Sequence, residues 1–437
     1  MRILIVDSYG ESILDWALRC QQDGHKVKWF FHNQQSEHVG KGLVERVDDW
    51  RPWMRWADLV VLPDNTKYLR ELDSWRKQGV PIIGPSVDAA AWEHDRKLGM
   101  KILEKAGVPC PTYREFRDYD SAIAYVNKEG RRFVSKPCGI ETDKSLSYVS
   151  KDAGDMIYML ERWKKADKLK GTFILQEFVA GIEMGVGGWF GPGGFNQGWE
   201  ENWEFKKFMN DDKGNQTGEQ GTVMRFSRKA KLADKVLKPL ESELEKLGYL
   251  GCVDVNCIID ERGDIHPLEF TMRMGWPAFN IQQALHKGDH AEWLLDLAEG
   301  RDAKSFILDT VAVGVVMSIP DYPYSRITRK DVCGVPLYGL TPQIEPHVHP
   351  CMMMLGMAPT LIGGKVVTLP CLVTAGDYVL VTTGTGETVS AAARGAYKVL
   401  DQLSMPNSPM WRTDIGKRLK KQLPELQRHG FAMGMTY

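Results

Sequence analysis

Strand-like and helix-like segments alternate through the first 84 residues, and this alternation constrains the fold more than any other feature of the sequence. Short apolar runs typical of buried strands cover residues 2–7, 26–31, 57–62 and 80–84. Segments with apolar residues at helical spacing lie between them, over residues 11–23 and 66–78. Such an alternation predicts a parallel sheet with helices on its faces. No G-x-G-x-x-G turn follows the first strand, so dinucleotide binding is not indicated.

Composition narrows the class of protein. The chain has 437 residues, of which 43% are hydrophobic and 26% charged, as expected for a globular protein of two or three domains. A formal net charge of −1 gives no electrostatic argument for binding nucleic acid or a membrane surface. The eight cysteines form no C-x-x-C pair, which favours reduced thiols. No apolar run reaches the length of a signal-peptide core or a membrane span, and we therefore expect a cytoplasmic protein.

The remaining sequence predicts a series of further elements. A helix is expected over residues 85–106, followed by a smaller strand–helix–strand region at about 113–190. Residues 191–221 are rich in Gly, Asn and Trp and are expected to form a long functional loop. A charged helix over 231–247, a hairpin and a helix over 281–297 come next, before a mostly β region with a helix at 389–403. The predicted domains are 1–88, 89–303 with its small subdomain at about 113–190, and 304–437.

Two acidic residues stand among apolar neighbours in the predicted hairpin. Asp254 lies in the strand that ends at Ile259, and Glu269 lies in the strand that follows the polar turn 260–264. Burial of a carboxylate is unfavourable unless a partner compensates its charge. Mg²⁺ bound to nucleotide phosphates is one such partner, and Arg273 could then meet a phosphoryl group. The same pattern also fits two solvated carboxylates at the ends of a hairpin.

Two other segments have the residue types of a nucleotide site. Lys136 ends an apolar strand, and Lys144 lies in the polar loop 139–145, where cations and backbone N–H groups could meet phosphates. The strand containing Gln176, Glu177, Phe178 and Val179 could offer backbone groups to an adenine ring. Glu183, just beyond it, could accept hydrogen bonds from ribose hydroxyls. Ordinary surface lysines and an exposed hairpin carboxylate remain the alternatives.

Other sequence patterns are weaker indications of a functional site. His347 and His349 have ligand-like spacing, but no further ligand is apparent nearby in the sequence, and we favour no metal site there. Asp95, Arg96 and Lys97 are most simply a charged, solvated turn. No Ser-His-Asp arrangement, nucleophile elbow or G-x-x-x-x-G-K loop is present.

In their order along the chain, these segments resemble an ATP-grasp ligase, in particular the phosphoribosylamine–glycine ligase family. The resemblance covers nearly the whole chain. Residues 133–139 resemble the family's V-I-K-A-D-G strand, and residues 215–221 resemble its P-N-T-G-G-M-G loop. Residues 268–275 resemble its I-E-F-N-C-R-F-G segment, and residues 412–416 and 334–337 match its closing module. Asp254 resembles instead the aspartate of the D-alanine–D-alanine ligase metal strand.

The resemblance implies an α/β ATP-grasp fold with an N-terminal Rossmann-like parallel-sheet domain and a C-terminal mostly β module. It also implies ATP and Mg²⁺ (or Mn²⁺) as cofactors. The implied roles are phosphate binding by Arg96, Lys136 and Lys144, adenine binding by Gln176, Glu177, Phe178 and Val179, ribose binding by Glu183, metal binding by Asp254, Glu269 and Thr271, catalysis by Arg273 and Lys144, and substrate contact by Thr217, Gly218, Arg273 and Gly275.

The sequence also departs from the family. The family's G-G-R-E-H turn, which helps to hold the phosphoribosyl substrate, is replaced by residues 8–12, where a tyrosine and an acidic residue do not favour a phosphate. Its G-D-P-E segment becomes Gly275-Trp276-Pro277-Ala278 and loses both carboxylates. Thr271 replaces an asparagine at a metal-ligand position. The departures predict a retained ATP and metal site beside an altered amine site.

The resemblance therefore implies an ATP-dependent carboxylate–amine ligase that forms an amide through an acyl phosphate. Its partners are expected to be glycine or another amino acid and an amine acceptor. One alternative is an authentic phosphoribosylamine–glycine ligase of purine synthesis. The other is a non-catalytic nucleotide-binding protein, which Thr271 and the glycine-poor loop after Lys136 would favour.

Overall fold

The computed structural model describes residues 1–10, 12–33, 37–138, 146–169, 171–301, 307–324 and 330–437. Its N-terminal sheet is parallel, with strand order β3-β2-β1-β4-β5. The strands are β1 (Arg2–Asp7), β2 (Lys26–Phe31), β3 (Glu45–Arg46), β4 (Leu59–Val61) and β5 (Ile82–Ile83), and the helices are α1 (Leu14–Gln22) and α2 (Leu69–Arg76). The predicted parallel sheet is thus confirmed; β3 was not predicted because two residues carry no periodic pattern.

The predicted helix over residues 85–106 is two helices, α3 (Val87–His94) and α4 (Arg96–Lys105). Asp95 between them has an extended backbone, and its side chain accepts a hydrogen bond from the Leu98 N–H. Capping by Asp95 starts a new helix at Arg96. The break places Arg96 in the first turn of a helix that packs against the strand ending at Thr271.

A small antiparallel sheet follows, with strand order β6-β9-β7-β8 and a hydrophobic core of its own. Its elements are β6 (Tyr113–Phe116), α5 (Tyr119–Glu129), β7 (Phe133–Cys138), β8 (Tyr148–Val149), α6 (Ala153–Lys165) and β9 (Thr172–Glu177). Because β9 pairs with β6 on one side and β7 on the other, it is a central strand.

A large antiparallel sheet forms the centre of the molecule, with strand order β16-β15-β10-β11-β14-β17-β21-β18. These strands are β10 (Ile182–Gly191), β11 (Gly194–Glu204), β14 (Gly221–Ser227), β15 (Gly251–Ile259), β16 (Ile265–Thr271), β17 (Val311–Ser318), β18 (Val348–Pro350) and β21 (Tyr378–Gly386). Two separate ribbons join β12 (Lys207–Met209) to β13 (Lys213–Gln216), and β19 (Met353–Ile362) to β20 (Lys365–Thr374). Strands from both sides of residue 303, the predicted boundary between the second and third domains, belong to this one sheet. The division of the chain into three domains remains a prediction.

The prediction of a long loop over residues 191–221 was wrong. Strand β11 takes up residues 194–204 of the segment, and the short strands β12 and β13 follow it. The Gly-Pro-Gly-Gly sequence is only the turn that joins β11 to β10. The strand contains Glu200, Glu201 and Asn202, all of which are buried. Buried polar side chains inside a strand give a composition that is typical of loops, which explains the error.

The remaining helices are α7 (Lys231–Val236), α8 (Glu241–Lys246), α9 (Ala278–Leu285), α10 (Glu292–Ala298), α11 (Val389–Leu400) and α12 (Leu419–Arg428). The predicted helix over 231–247 is divided by a 3₁₀ turn that contains Pro239. The predicted helix over 281–297 is divided near Gly288, which has a φ of +85°. Among the described residues, no helix is both long and apolar enough to cross a membrane.

Candidate active site

The two acidic strands predicted to bind a metal are neighbours in the large sheet. In the register of β15 and β16, Asp254 faces Thr271, and Asn256 faces Glu269. Side chains two residues apart point to the same face of a strand. The structure therefore brings Asp254, Glu269 and Thr271 together on one face of the sheet, as the sequence predicted.

Two glycines of the next strand, β10, let side chains meet across it. A Cβ atom at Gly185 would lie 2.2 Å from Oδ1 of Asn202, and one at Gly187 would lie 3.1 Å from Oδ2 of Asp254. Asn202 and Glu200 lie on the far side of β10, opposite Gly185 and Gly187. Since no side chain stands between them, residues of β11 and β15 come into direct contact over the glycines.

Cations from three separate parts of the chain converge on Glu269. Arg96 Nη1 lies 2.8 Å from Oε2 of Glu269, and Lys206 Nζ lies 3.9 Å from Oε1. Lys136, on β7, donates to the carbonyl of Leu268 at 3.1 Å. Burial opposes ionisation of Glu269, but Arg96, Lys206 and Lys136 together lower the pKa of its carboxyl. Burial lowers the pKa of Lys136 to about 8, although the charge of Glu269 opposes that shift.

Lys206 is the centre of a group of carboxylates, which we call the lysine-centred cluster: Lys206 with Glu183, Glu204 and Glu269. Its Nζ lies 2.7 Å from Oε1 of Glu183 and 2.8 Å from Oε2 of Glu204. Asn256 also donates to both carboxylates, at 2.7 and 3.0 Å. Burial would lower the pKa of Lys206, but the surrounding carboxylates raise it well above its usual value.

Sequence reasoning missed Lys206, because it lies inside residues 191–221, which were predicted to form a loop. One sequence feature could have identified Lys206: it comes two residues after the acidic end of β11. There, Glu200 and Glu204 are four residues apart and point to the same face of the strand. The Glu183 carboxyl has a lowered pKa, since Lys206 outweighs the effect of burial. The predicted ribose ligand is therefore held in its ionised form.

Glu200 and Asp254, on the same face, have no such cation, and Glu219 from the turn before β14 interacts with both of them electrostatically. We call Glu200, Asp254 and Glu219 the acidic cluster. Asn202 Nδ2 donates to Oε1 of Glu200 at 3.1 Å and to Oδ2 of Asp254 at 2.8 Å. Among the described residues, no lysine or arginine forms an ion pair with a carboxylate of this cluster. Burial raises the pKa of Glu200 to about 7. Burial, followed by repulsion from neighbouring carboxylates, raises the pKa values of Asp254 and Glu219 well above the usual range.

Arg273, predicted to contact a phosphoryl group, lies between this face and the N-terminal sheet. Its Nε donates to Oε1 of Glu93 at 3.2 Å, and its Nη1 donates to the Met274 carbonyl at 3.2 Å. Glu93 also accepts from the Met272 N–H and from Asn65 Nδ2, each at 2.8 Å. Attraction to Glu93 raises the pKa of the guanidinium, which burial alone would lower. Glu93 thereby holds Arg273 at the junction with the N-terminal sheet.

The turn after β1 contains acidic side chains rather than phosphate ligands. Asp64 accepts hydrogen bonds from the Ser8 N–H and hydroxyl, both at 2.7 Å. Asp7 accepts from the Tyr9 N–H at 3.0 Å, and burial, followed by repulsion from Asp64, raises its pKa to about 7. Anions at a phosphate-binding turn would repel a phosphate. The turn therefore differs electrostatically from a phosphate site.

The predicted adenine-binding segment lies at the end of β9. The Glu177 N–H donates to the Thr112 carbonyl, and the Phe178 N–H donates to the Arg132 carbonyl. Within the described parts of the chain, the Val179 N–H has no backbone partner. Gln176 is buried between β6 and β7. Because Glu177 and Phe178 already donate to backbone carbonyls, Val179 is the better placed to donate its N–H to a base.

The predicted substrate contacts lie in two places. Thr217 bonds to the Lys206 carbonyl through its N–H and its hydroxyl, at 2.9 and 2.8 Å, and Gly218 is exposed. Gly275 begins the turn into α9, and the adjacent Trp276 ring lies 4.0 Å from that of Tyr378. The loop 215–221 is thereby linked directly to the lysine-centred cluster.

Two sequence features lie outside this arrangement. Lys144 falls in residues 139–145, outside the described residues, so its predicted role stays a prediction. His349 is buried, 2.7 Å from Asp15 and 2.8 Å from the Thr383 hydroxyl. It therefore links α1 to β21.

Comparison with known proteins agrees with this architecture. The family model "phosphoribosylglycinamide synthetase, ATP-grasp (A) domain" matches residues 95–278. The phosphoribosylamine–glycine ligase of Ralstonia nicotianae is 26% identical over 370 residues, which are 82% of this chain and 83% of that protein. The crystal structure of phosphoribosylamine–glycine ligase from Thermotoga maritima superposes with a TM-score of 0.70 at 19% identity, covering 95% of this chain and 100% of that one. An ADP complex of N5-carboxyaminoimidazole ribonucleotide synthetase gives a TM-score of 0.61 at 14% identity, covering 91% and 96%.

Proposed function

We propose that this chain, which is an ATP-grasp ligase resembling phosphoribosylamine–glycine ligase, joins glycine or another amino acid to an amine acceptor. The observation that carries the proposal is the convergence of Arg96, Lys136 and Lys206 on Glu269. Cations gathered around an ionised carboxylate suit a nucleoside triphosphate with a divalent metal. The matched ATP-grasp domain spans these residues.

The proposed reaction has two steps. An oxygen of the substrate carboxylate attacks the γ-phosphorus of ATP, the bond between the γ-phosphorus and the bridging oxygen breaks, and ADP leaves with that electron pair. The amine nitrogen then attacks the acyl carbon, the bond from that carbon to the phosphate oxygen breaks, and inorganic phosphate leaves. The nitrogen loses a proton as the amide forms. The protein contributes mainly positioning and stabilisation of charge.

Residues of the chain would bind the nucleotide at both ends. Lys136 and Arg96 would contact the phosphates, as would Lys144. Glu183 would accept hydrogen bonds from the ribose hydroxyls, and these bonds would replace part of its contact with Lys206. The backbone at Val179 would meet the adenine edge. Arg273, held by Glu93, would contact the transferring phosphoryl group.

The residues on the sheet face fit a divalent metal. Asp254, Thr271 and Glu269 present two carboxylates and a hydroxyl on adjacent strands, and Mg²⁺ commonly takes one or two protein carboxylates and completes its shell with phosphate and water. The raised pKa of Asp254 indicates a carboxylate that a cation would stabilise. When bound, Mg²⁺ or Mn²⁺ would neutralise phosphate charge during phosphoryl transfer.

The acceptor amine is proposed to differ from phosphoribosylamine. The support is the turn after β1, where Asp7 and the Asp64–Ser8 contacts replace groups that could bind a phosphate. Trp276 and its neighbour Tyr378 add aromatic surface beside Gly275. An amine without a phosphate ester fits this turn better.

A second candidate is authentic phosphoribosylamine–glycine ligase activity. The observation in its favour is the similarity to curated ligases of that activity, which extends over 82% of the chain. Both candidates share the ATP site and the acyl phosphate, so they differ only in the amine that is accepted.

Phosphate release from MgATP by the purified protein tests the proposal. The assay is run with glycine and other amino acids, with and without freshly prepared phosphoribosylamine. Release that requires an amino acid but not phosphoribosylamine supports the retargeted ligase, whereas release that requires both glycine and phosphoribosylamine supports the second candidate. Nucleotide binding without turnover across a broad panel of acids and amines would contradict both.

A further inference from the structure

The acidic cluster contains more hydrogen-bond acceptors than donors. Glu200 and Glu219 are only 3% and 4% exposed. Oε1 of Glu219 has no hydrogen-bond partner among the described residues, and the same holds for Oε1 of Gln282, whose Nε2 donates to Glu200. The side-chain amides of Gln282 and Asn202 each donate a hydrogen bond to Glu200. Unpaired buried acceptors are costly, so this arrangement indicates that a group rich in donors binds there.

The lysine-centred cluster on the same face shows what such a group looks like. There, one ammonium, that of Lys206, lies within 2.8 Å of the carboxylates of Glu183 and Glu204. An ammonium has three N–H donors and no acceptor, which complements a surface of carboxylate oxygens. In the acidic cluster no ammonium or guanidinium of the described residues occupies the corresponding place. Lys206 attracts Asp254 and Glu219 electrostatically but forms no ion pair with either.

We propose that Glu200 and Glu219 bind the α-ammonium group of the amino acid whose carboxylate is phosphorylated. This inference rests on the proposed function. In an α-amino acid the ammonium nitrogen is two bonds from the carboxylate carbon. Because Asn202 joins Glu200 to Asp254, an ammonium held by Glu200 and Glu219 places the attached carboxylate beside the predicted metal and phosphate ligands.

An ammonium fits the acidic cluster better than a second metal ion does. Among the described residues, no three His, Cys, Asp or Glu side chains are arranged around one point as metal ligands. Mg²⁺ requires oxygen ligands at roughly 2.0–2.1 Å in near-octahedral geometry. Hydrogen bonds from an ammonium to carboxylates are longer, at about 2.7–2.9 Å, and tolerate carboxylates that are further apart. The loop 215–221, predicted to contact substrate, carries Glu219.

Two variants test the inference in the full chain, Glu200→Gln and Glu219→Gln. Each removes a charge and keeps the size of the side chain. Phosphate release is measured with glycine against acetate, and with L-alanine against propionate. We expect the wild-type protein to prefer each amino acid over its deaminated analogue. In the variants, the KM for the amino acid should rise by about 10- to 100-fold, and the preference should fall towards one, while the KM for MgATP changes by less than about threefold.

The matched control is Glu201→Gln, which removes an equally buried carboxylate from the next position of β11. Glu201 points to the opposite face, where it pairs with Arg225. This variant tests whether loss of any buried charge from β11 has the same effect. Its KM for the amino acid should stay at the wild-type value, and thermal unfolding of all three variants checks that they are folded.

Several results would overturn the inference and leave the proposed function intact. One is equal use of acetate and glycine by the wild-type protein. Another is an unchanged amino-acid KM in both variants. A third is a raised Mn²⁺ requirement without a change in amino-acid KM, which would indicate a second metal site. If no acid supports phosphate release, the proposed function fails; calorimetric titration of glycine and L-alanine in the presence of MgADP then decides. Binding that both variants lose supports the ammonium site, and absence of binding to the wild-type protein contradicts it.

Discussion

The lysine-centred cluster and the acidic cluster lie on the same sheet face and differ in charge balance. In the first, the ammonium of Lys206 contacts Glu183 and Glu204 directly and Glu269 at 3.9 Å. In the second, Glu200 and Asp254 share one amide donor, that of Asn202. The carboxyls of Glu183 and Glu269 have lowered pKa values, whereas those of the acidic cluster have raised ones.

The difference in charge balance suggests a different role for each cluster within one site. Carboxylates that already have a protein cation are preorganised as ionised ligands, which suits contacts that must be in place before the nucleotide binds. Carboxylates without one destabilise the ligand-free protein and gain most from a bound cation. We infer that the first cluster organises the nucleotide side of the site and that the second binds positively charged ligands. Four variants test this division, ordered from the largest expected effect.

Glu269→Ala should cause the largest loss of activity. It removes the carboxylate that joins Arg96, Lys136 and Lys206 and that is predicted to hold the metal. Phosphate release in the presence of an amino acid and an amine should fall by about 10²–10³-fold, as for other preorganised electrostatic contacts. Steady-state kinetics measures the loss.

A matched control removes a carboxylate that is paired with a cation outside the site. Oε2 of Glu115, on β6 of the small sheet, lies 2.9 Å from Nζ of Lys97 on α4, so Glu115→Ala deletes an ion pair elsewhere in the protein. This control should retain activity within about twofold, because surface ion pairs contribute little. Undiminished turnover of a folded Glu269→Ala protein would remove Glu269 from the site.

Lys206→Met should destabilise the lysine-centred cluster. The substitution keeps an apolar side chain of similar length but leaves Glu183 and Glu204 without their cation. Breaking a buried ion pair by removing one partner costs about 3–5 kcal/mol, and partial solvent exposure reduces this to about 2–3 kcal/mol here. Urea unfolding at pH 7.5 measures the change. Lys213→Met, at the exposed start of β13, is the control. An equal effect of both variants would show that Lys206 does not stabilise the lysine-centred cluster specifically.

Sequence reasoning predicted one cluster in part and missed most of the other. Asp254 and Glu269 were identifiable because each interrupts an apolar strand, and the sheet register confirms that they share a face. Glu200 and Glu219 were missed because residues 191–221 were interpreted as a loop. Glu200 and Glu201 put acids on both faces of β11, so the strand lacks the alternation that identifies strands. Local rules tend to fail at functional sites, where partners from distant segments compensate.

The partners that compensate these residues could not be inferred from local patterns. Glu201 is paired with Arg225 on the neighbouring strand β14, and Lys206, in the link between β11 and β12, is paired with Glu183 on β10. Predicting them requires the order of strands in the large sheet. The order β15-β10-β11-β14 joins segments up to about seventy residues apart, and no periodicity within a segment specifies it. The parallel N-terminal sheet was predictable because each strand–helix unit is local.

Glu200→Gln should stabilise the protein above neutral pH, which is the opposite sign to Lys206→Met. Burial raises the pKa of Glu200 from 4.5 to about 7, so the folded state binds a proton that the unfolded state has released. Stability is therefore lost as pH rises from about 4.5 to about 7, by up to about 3 kcal/mol. The variant should lack this loss and be more stable than the wild-type protein at pH 8.

Urea unfolding at pH 5 and pH 8 measures that difference. Glu201→Gln is the matched control, since Glu201 is equally buried but has Arg225 as a cationic partner. Its loss should destabilise the protein at pH 8. If Glu200→Gln is also less stable at pH 8, Glu200 has a stabilising partner and the two clusters do not differ as argued.

Gly187→Ala should give the smallest effect and should act on the acidic cluster alone. A Cβ atom there lies 3.1 Å from Oδ2 of Asp254 and 3.4 Å from Cβ of Glu200, so the two side chains must separate by a few tenths of an ångström. Slight overpacking of this kind costs about 1 kcal/mol. The KM for the amino acid should rise by about three- to tenfold, while nucleotide affinity stays constant, as measured by kinetics and by titration with MgADP. Gly218→Ala, at an exposed position with no atom within 4 Å of the added Cβ, controls for loss of glycine flexibility in the predicted substrate loop. A change in nucleotide affinity equal to the change in amino-acid KM would mean that the two clusters act as a single unit.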